Sequence, residues 1–158
     1  MTGDIIRFEV RGFPAPQGDL KVGFKSNGRA NLYHRASPAL NAWRNAVASA
    51  AQSRAPAALW SGPVGIGLAF GMLKPVSAKE WVGRGKARHR VRLWAAKRPD
   101  VDKLIRAVLD ALTGVIFEDD KQIVRLTASK DYGVPGVRVV LTLLESEGEN
   151  GGNTREGP

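Results

Sequence analysis

The stretch that decides the fold is KRPDVDKLIRAVLDALTGVIFEDDKQI, residues 97–123. Within it Val101, Leu104, Ile105, Val108, Leu109 and Leu112 recur at i, i+3, i+4, i+7, i+8 and i+11, the apolar stripe of an amphipathic helix. Gly114 follows as a stop, so the spacing predicts a helix over 101–113. Pro99 disfavours helical backbone at Arg98, which makes Asp100 to Asp102 an extended lead-in with Asp102 as the helix cap. In extended backbone, residues i and i+2 face the same side, so Asp100 and Asp102 can converge. Glu118, Asp119 and Asp120 lie beyond the other end. A helix of about twelve residues is about 18 Å long, so only a return strand running antiparallel to it would bring these carboxylates part of the way back.

On the N-terminal side, PVGIGLAFGML (63–73) alternates Val64, Ile66, Leu68 and Phe70 with small residues. This is a strand whose Gly-rich face is expected to be closely covered. On the C-terminal side, strands are expected near 122–129 and 137–144, joined by a turn containing Gly133, Pro135 and Gly136. IIRFEV (5–10) alternates as a first strand ending at Gly12. Pro14 and Pro16 then break regular structure, and the polar segment 17–36 has room for a short hairpin. Ser37 and Pro38 open a second helix carrying Leu40, Trp43, Val47 and Ala50, with a stop near Pro56. The order β, α, β, α, β, β implies a single α+β domain over residues 1–144, with two main helices packed on a mixed or antiparallel sheet of about four strands.

At 158 residues with 43% hydrophobic content, the chain can bury a sizeable core, which excludes disorder throughout. The absence of cysteine excludes a disulfide framework, thiolate metal sites and thiol nucleophiles. No apolar run reaches the roughly 20 residues that span a bilayer, and MTGDIIRFEV has no signal-peptide core, so a soluble cytoplasmic protein is expected. The 24 Lys and Arg exceed the 15 Asp and Glu by nine charges, unevenly distributed. Residues 79–98 carry +7, residues 100–120 carry −4, and ESEGENGGNTREGP (145–158) carries −3. That last stretch is Gly-rich and is expected to be a disordered tail. The basic stretch reads as a mobile loop insertion over about residues 75–96, either solvated or in contact with a phosphate backbone. Trp81 and Trp94 flank it and can stack on an unpaired base, although core or interface is the commoner place for tryptophan.

Crowding carboxylates is unfavourable: two unit charges 4 Å apart repel by about 1 kcal/mol in water and about 4 kcal/mol at an effective dielectric of 20. With no Cys and only His34 and His89, the ligand set around residues 100–120 is oxygen-only, which suits Mg²⁺ or Mn²⁺. Such ions activate water and stabilise charge on a phosphoryl group. Spacing alone leaves a plainer reading open. Asp102 then serves only as a cap, Asp110 only as the i+4 partner of Arg106, and Glu118 to Asp120 only as an acidic turn.

RPDVDKLIRAVLDALTGVIFEDDKQIV (98–124) resembles the signature of the RusA family of Holliday-junction resolvases of bacteria and their phages. The matching features are Asp-x-Asp at the head of the helix, Leu-Asp-Ala-Leu-Thr inside it, and Asp-Asp-x-Gln-hydrophobic after a short linker. The resemblance implies a homodimeric, Mg²⁺- or Mn²⁺-dependent endodeoxyribonuclease that cuts four-way DNA junctions by paired symmetric incisions, in a bacterial cell or phage-infected host. It assigns Asp100, Asp102 and Asp120 as catalytic acids, with Asp119 beside them as a further metal ligand. Arg106 stands where the family has Lys, and Lys103 where it commonly has Asn. Arg106 keeps the charge and can hold phosphate, but it cannot exchange a proton as Lys can. Lys97, Arg98, Lys103, Arg88, Arg90 and Arg92 are the expected DNA contacts. No organic cofactor and no membrane partner are expected. Two other readings remain: a non-catalytic basic DNA-binding protein, and a nuclease of the same chemistry acting on other branched DNA.

Overall fold

The computed structural model describes residues 3–18, 20–24, 26–27, 29–34 and 37–145, with 20–24 and 30–34 described by backbone alone. The expected tail thus lies, beyond Glu145, outside the described residues, as does the His34 side chain. The first alternating segment forms β1 (Ile5–Arg11), and the polar segment forms the antiparallel pair β2 (Leu20–Phe24) and β3 (Ala30–His34). Helix α1 spans Pro38–Gln52. Ser37 Oγ accepts the Leu40 amide at 3.1 Å, and Pro38 occupies the first turn, where its missing N–H has no intrahelical partner to lose. Then come β4 (Val64–Met72), β5 (Trp81–Val82), β6 (His89–Arg90), α2 (Val101–Leu112), β7 (Ile123–Tyr132) and β8 (Gly136–Leu143).

The main sheet has the order β1-β8-β4-β7 and is mixed: β8 is antiparallel to β1 and β4, while β7 runs parallel to β4. A parallel neighbour needs a crossover, and the segment between β4 and β7 supplies it through α2. Both helices cover one face. Leu40, Trp43 and Val47 of α1 and Leu104, Val108 and Leu112 of α2 share a core with Ile66, Leu68 and Phe70 of β4 and Val137, Val139 and Leu141 of β8. Full burial of each such Val, Leu, Ile or Phe stabilises by about 1.5–3 kcal/mol, which is how the helical stripe is anchored to the sheet. Two glycines are required by backbone geometry. Gly114, at φ 76°, ends α2 and donates to Phe117 O at 2.8 Å, and a Cβ on Gly136 would collide with the Val10 carbonyl of β1.

The structure departs from the sequence expectations at three places. Asp100 is the extended N-cap residue and Asp102 already sits in the first helical turn, so the pair straddles the helix start. The basic segment contains the β5–β6 hairpin with a one-turn 3₁₀ helix, Gly85–Ala87, between its strands. The Gly-rich face of β4 lies opposite the helices; Gly67 and Ala69 are half-exposed, and the atoms nearest to where a Cβ on Gly67 would be belong to neighbouring strands, Thr127 Oγ1 at 3.4 Å and Val140 at 4.0 Å.

Candidate active site

The start of α2 is held by groups distant in sequence. Lys130, near the end of β7, donates through Nζ to Lys97 O at 2.8 Å and Pro99 O at 2.7 Å. The backbone N–H of buried Gln17 donates to Lys103 O at 3.0 Å, so the Pro-rich segment closes over the first turn. These contacts fix the backbone that presents Asp100, whose Oδ2 lies 3.6 Å from Lys103 Nζ. Asp102 and Arg106 follow at i, i+4 spacing on an exposed face, and among the described residues neither has a hydrogen-bond or ion-pair partner. Asp110, the plainer reading's partner for Arg106, lies instead 3.9 Å from Arg44 of α1.

The other acids sit in a 3₁₀ turn, Asp120–Gln122, immediately before β7. Asp119 caps it: its carboxylate accepts the Lys121 amide at 2.9 Å, and its own N–H donates to Gln122 Oε1 at 2.9 Å. Gln122 Nε2 then donates to Trp60 O at 2.7 Å and Gly62 O at 2.8 Å, locking the acidic turn to the entry of β4. The Lys121 amide, assisted by its ammonium group 3.4 Å away, holds the Asp119 carboxyl below its ordinary value. Asp120 is exposed beside it.

The two acidic groups occupy opposite ends of α2. Asp119 and Asp120 precede β7, and it is the far end of that strand, at Lys130, that touches Pro99. The acids therefore stay where the helix ends, about 18 Å from its start, and the strand returns without them. Among the described residues no three Asp, Glu or His side chains are grouped as a metal-binding set. The donor chemistry suits a hard divalent cation, and each end offers two neighbouring carboxylates, but one chain does not unite the ends.

The basic residues are more engaged than their number suggests. Glu80 takes Lys74 at 2.8 Å and Arg90 at 3.4 Å, and this pairing, led by the Lys74 hydrogen bond, lowers its carboxyl pKa. Arg92 pairs with Asp131 at 3.2 Å while lying 4.0 Å from the Trp94 ring centroid, and Arg88 lies 5.0 Å from that of Trp81. The Lys97 and Arg98 side chains are exposed beside Asp100. Gln17 and Lys130 escaped sequence reasoning because nothing local marks a residue whose role is to hold a distant carbonyl. Gln122 stood inside the quoted motif, where its amide was legible but its lock on residues 60–62 was not.

A family model described as Endodeoxyribonuclease RusA matches residues 14–142. The chain is also 31% identical over 140 residues to the uncharacterized protein YqaN of Bacillus subtilis (strain 168), a match covering 87% of this chain and 96% of that protein. The family match takes in the Pro-rich segment, both helices and three strands of the main sheet, β4, β7 and β8 up to its last residue, with β1 lying before it, and by it the chain belongs to the RusA endodeoxyribonuclease family.

Proposed function

We propose that the protein is a metal-dependent, structure-selective endodeoxyribonuclease that resolves four-way DNA junctions as a homodimer, by paired symmetric incisions in recombination and repair. Family membership supports an endonuclease acting on Holliday junctions. The observation that carries the dimeric reading is the separation of the acids. Mg²⁺ takes its oxygens at about 2.0–2.1 Å, so carboxylates about 18 Å apart cannot share one ion. Two copies related by a two-fold axis, with the start of α2 in one facing the acidic turn of the other, complete two sets, one for each incision. Exposed apolar side chains are available beside that helix: Val101 is 38% exposed, and Val124 and Leu126 of the edge strand β7 are 64% and 41% exposed.

Asp100, Asp102 and Asp120 would hold Mg²⁺ or Mn²⁺, with Asp119 contributing the oxygen that its capping role leaves available. The cation, when bound, supplies Lewis-acid chemistry at the phosphodiester and makes water a usable nucleophile. Arg106, exposed one turn beyond Asp102 and without a partner among the described residues, neutralises charge building on the phosphate in the transition state. Lys103 orients Asp100 through their ion pair. Lys97, Arg98, Arg88, Arg90 and Arg92 bind the phosphate backbone and bring the strand to the acids.

Subunit mixing tests the arrangement. Asp102→Asn and Asp120→Asn are each inactive alone on a synthetic four-way junction with Mg²⁺. Mixed and re-equilibrated, half the dimers are heterodimers with one intact composite site, and nicking returns to about a quarter of the wild-type rate. No recovery in verified heterodimers rejects the shared site, and no incision by the folded wild-type dimer at any metal or pH condition rejects the nuclease. Salt-sensitive binding without cutting would leave the non-catalytic DNA-binding reading, and faster cutting of forks or flaps the other-branch reading.

A further inference from the structure

The four tryptophans divide into two kinds. Trp43 and Trp60 are 3% and 5% exposed and belong to the core, whereas Trp81 and Trp94 are 51% and 65% exposed. Leaving two indoles in water forfeits burial that the core tryptophans obtain, and the exposed ones lie in the β5–β6 hairpin, Trp81, and in the irregular segment that leaves it, Trp94. Each has an arginine over its ring, Arg88 at 5.0 Å and Arg92 at 4.0 Å. The arginine can occupy only one ring face.

We propose that the Trp81–Arg88 and Trp94–Arg92 pairs are stacking platforms for unpaired DNA bases at the branch, and that they set the preference for branched over linear DNA. This rests on the nuclease reading above and goes beyond it by naming what recognises the branch. A ring with a guanidinium beside it offers a base a π-face and its phosphate a cation at once, the two elements of single-strand recognition. A closed duplex keeps its base faces stacked on one another and offers nothing to such a platform. The surroundings favour nucleic acid over a protein partner: residues 84–92 carry Arg84, Lys86, Arg88, Arg90 and Arg92 with no acid, a run of one sign of charge that matches a polyanionic backbone.

The platforms are tied to the cutting site through β7. Asp131 holds Arg92 over Trp94, while the preceding residue, Lys130, holds the Lys97 and Pro99 carbonyls that set the start of α2. Trp94 is six residues before Asp100, a reach of at most about 20 Å, so a stacked base lies within about six base rises of the acids.

The test uses the full-length protein without divalent cation, so that binding is read without cutting. The probes are a twenty-nucleotide oligo-dT, a linear duplex, and a four-way junction with 2-aminopurine beside the branch. Oligo-dT quenches wild-type tryptophan emission, and the branch 2-aminopurine responds on binding. Trp94→Ala reduces both signals and lowers the junction-to-duplex affinity ratio about tenfold, the Trp81→Ala, Trp94→Ala pair lowers it further, and Trp94→Phe restores most of it. A folded double variant that keeps the wild-type ratio and 2-aminopurine response overturns the proposal, and junction cutting by the wild type, measured in parallel, shows that only this proposal has failed. Quenching that follows protein concentration in the absence of DNA also overturns it, marking the indoles as a protein contact.

Discussion

The basic hairpin and the acidic helix ends carry comparable amounts of charge and treat it in opposite ways. In the hairpin, Glu80 binds Lys74 and Arg90, Asp131 binds Arg92, and indole rings cover Arg88 and Arg92. At the start of α2, Asp102 and Arg106 have no partner among the described residues. Counted charge and available charge therefore differ. The hairpin uses much of its own to hold its shape, and exposed surface pairs of this kind are worth only about 0–1 kcal/mol each, so incoming phosphates can exchange with them at little cost. At the acidic ends Lys103 lies 3.6 Å from Asp100 and Lys121 3.4 Å from Asp119, which offsets part of the repulsion between neighbouring carboxylates and leaves the rest for a cation to offset.

Breaking the acidic side gives the largest effect. Asp102→Asn is expected to slow junction cutting about a thousandfold while junction affinity without metal stays within about threefold, since among the described residues its side chain holds no other group in place. Loss of cutting and binding together in an electrophoretic mobility assay would make Asp102 structural. Lys130→Met leaves every carboxylate intact and releases the Lys97 and Pro99 carbonyls. Cutting is expected to fall about tenfold and stability by about 1 kcal/mol, read by single-turnover kinetics and urea unfolding. An unchanged single-turnover rate would remove Lys130 from the positioning of Asp100.

The hairpin side gives smaller effects. Asp131→Asn frees Arg92 from its carboxylate, so duplex binding should strengthen a few-fold at low salt, with the slope of log affinity against log salt steeper by about 0.9, one phosphate contact. An unaltered slope would mean that Arg92 never reaches DNA. The pH effect is the smallest. The Glu80 carboxyl is lowered from 4.5, so its pairing contributes to stability above that value and is lost as pH falls through the lowered pKa. Protection of the hairpin amides, read as exchange relative to the unfolded chain at the same pH, should hold at pH 5 and fall only below 4.5; a fall between pH 7 and 5 would show that Glu80 does not hold the hairpin.

The legible and illegible parts of the chain divide by range. The stripe Leu104, Val108, Leu112 was readable because helical periodicity is local, and Ser37–Pro38 because a cap acts within one turn. The β5–β6 hairpin was not, since two-residue strands carry no alternation and a charge run reads as a loop. The N-cap was misplaced by two residues because Asp100 and Asp102 are the same residue type, and only backbone angles distinguish the extended one.

The sequence by itself determined the chemistry: an oxygen-only acidic set bracketing one amphipathic helix, a basic segment before it, and a motif long enough to resemble one nuclease family. Only the tertiary structure decided where those acids lie relative to one another. Their separation depends on the direction β7 takes beside β4 and on which of its ends meets Pro99, and both follow from pairings and packing between residues far apart in the chain, to which local pattern is blind.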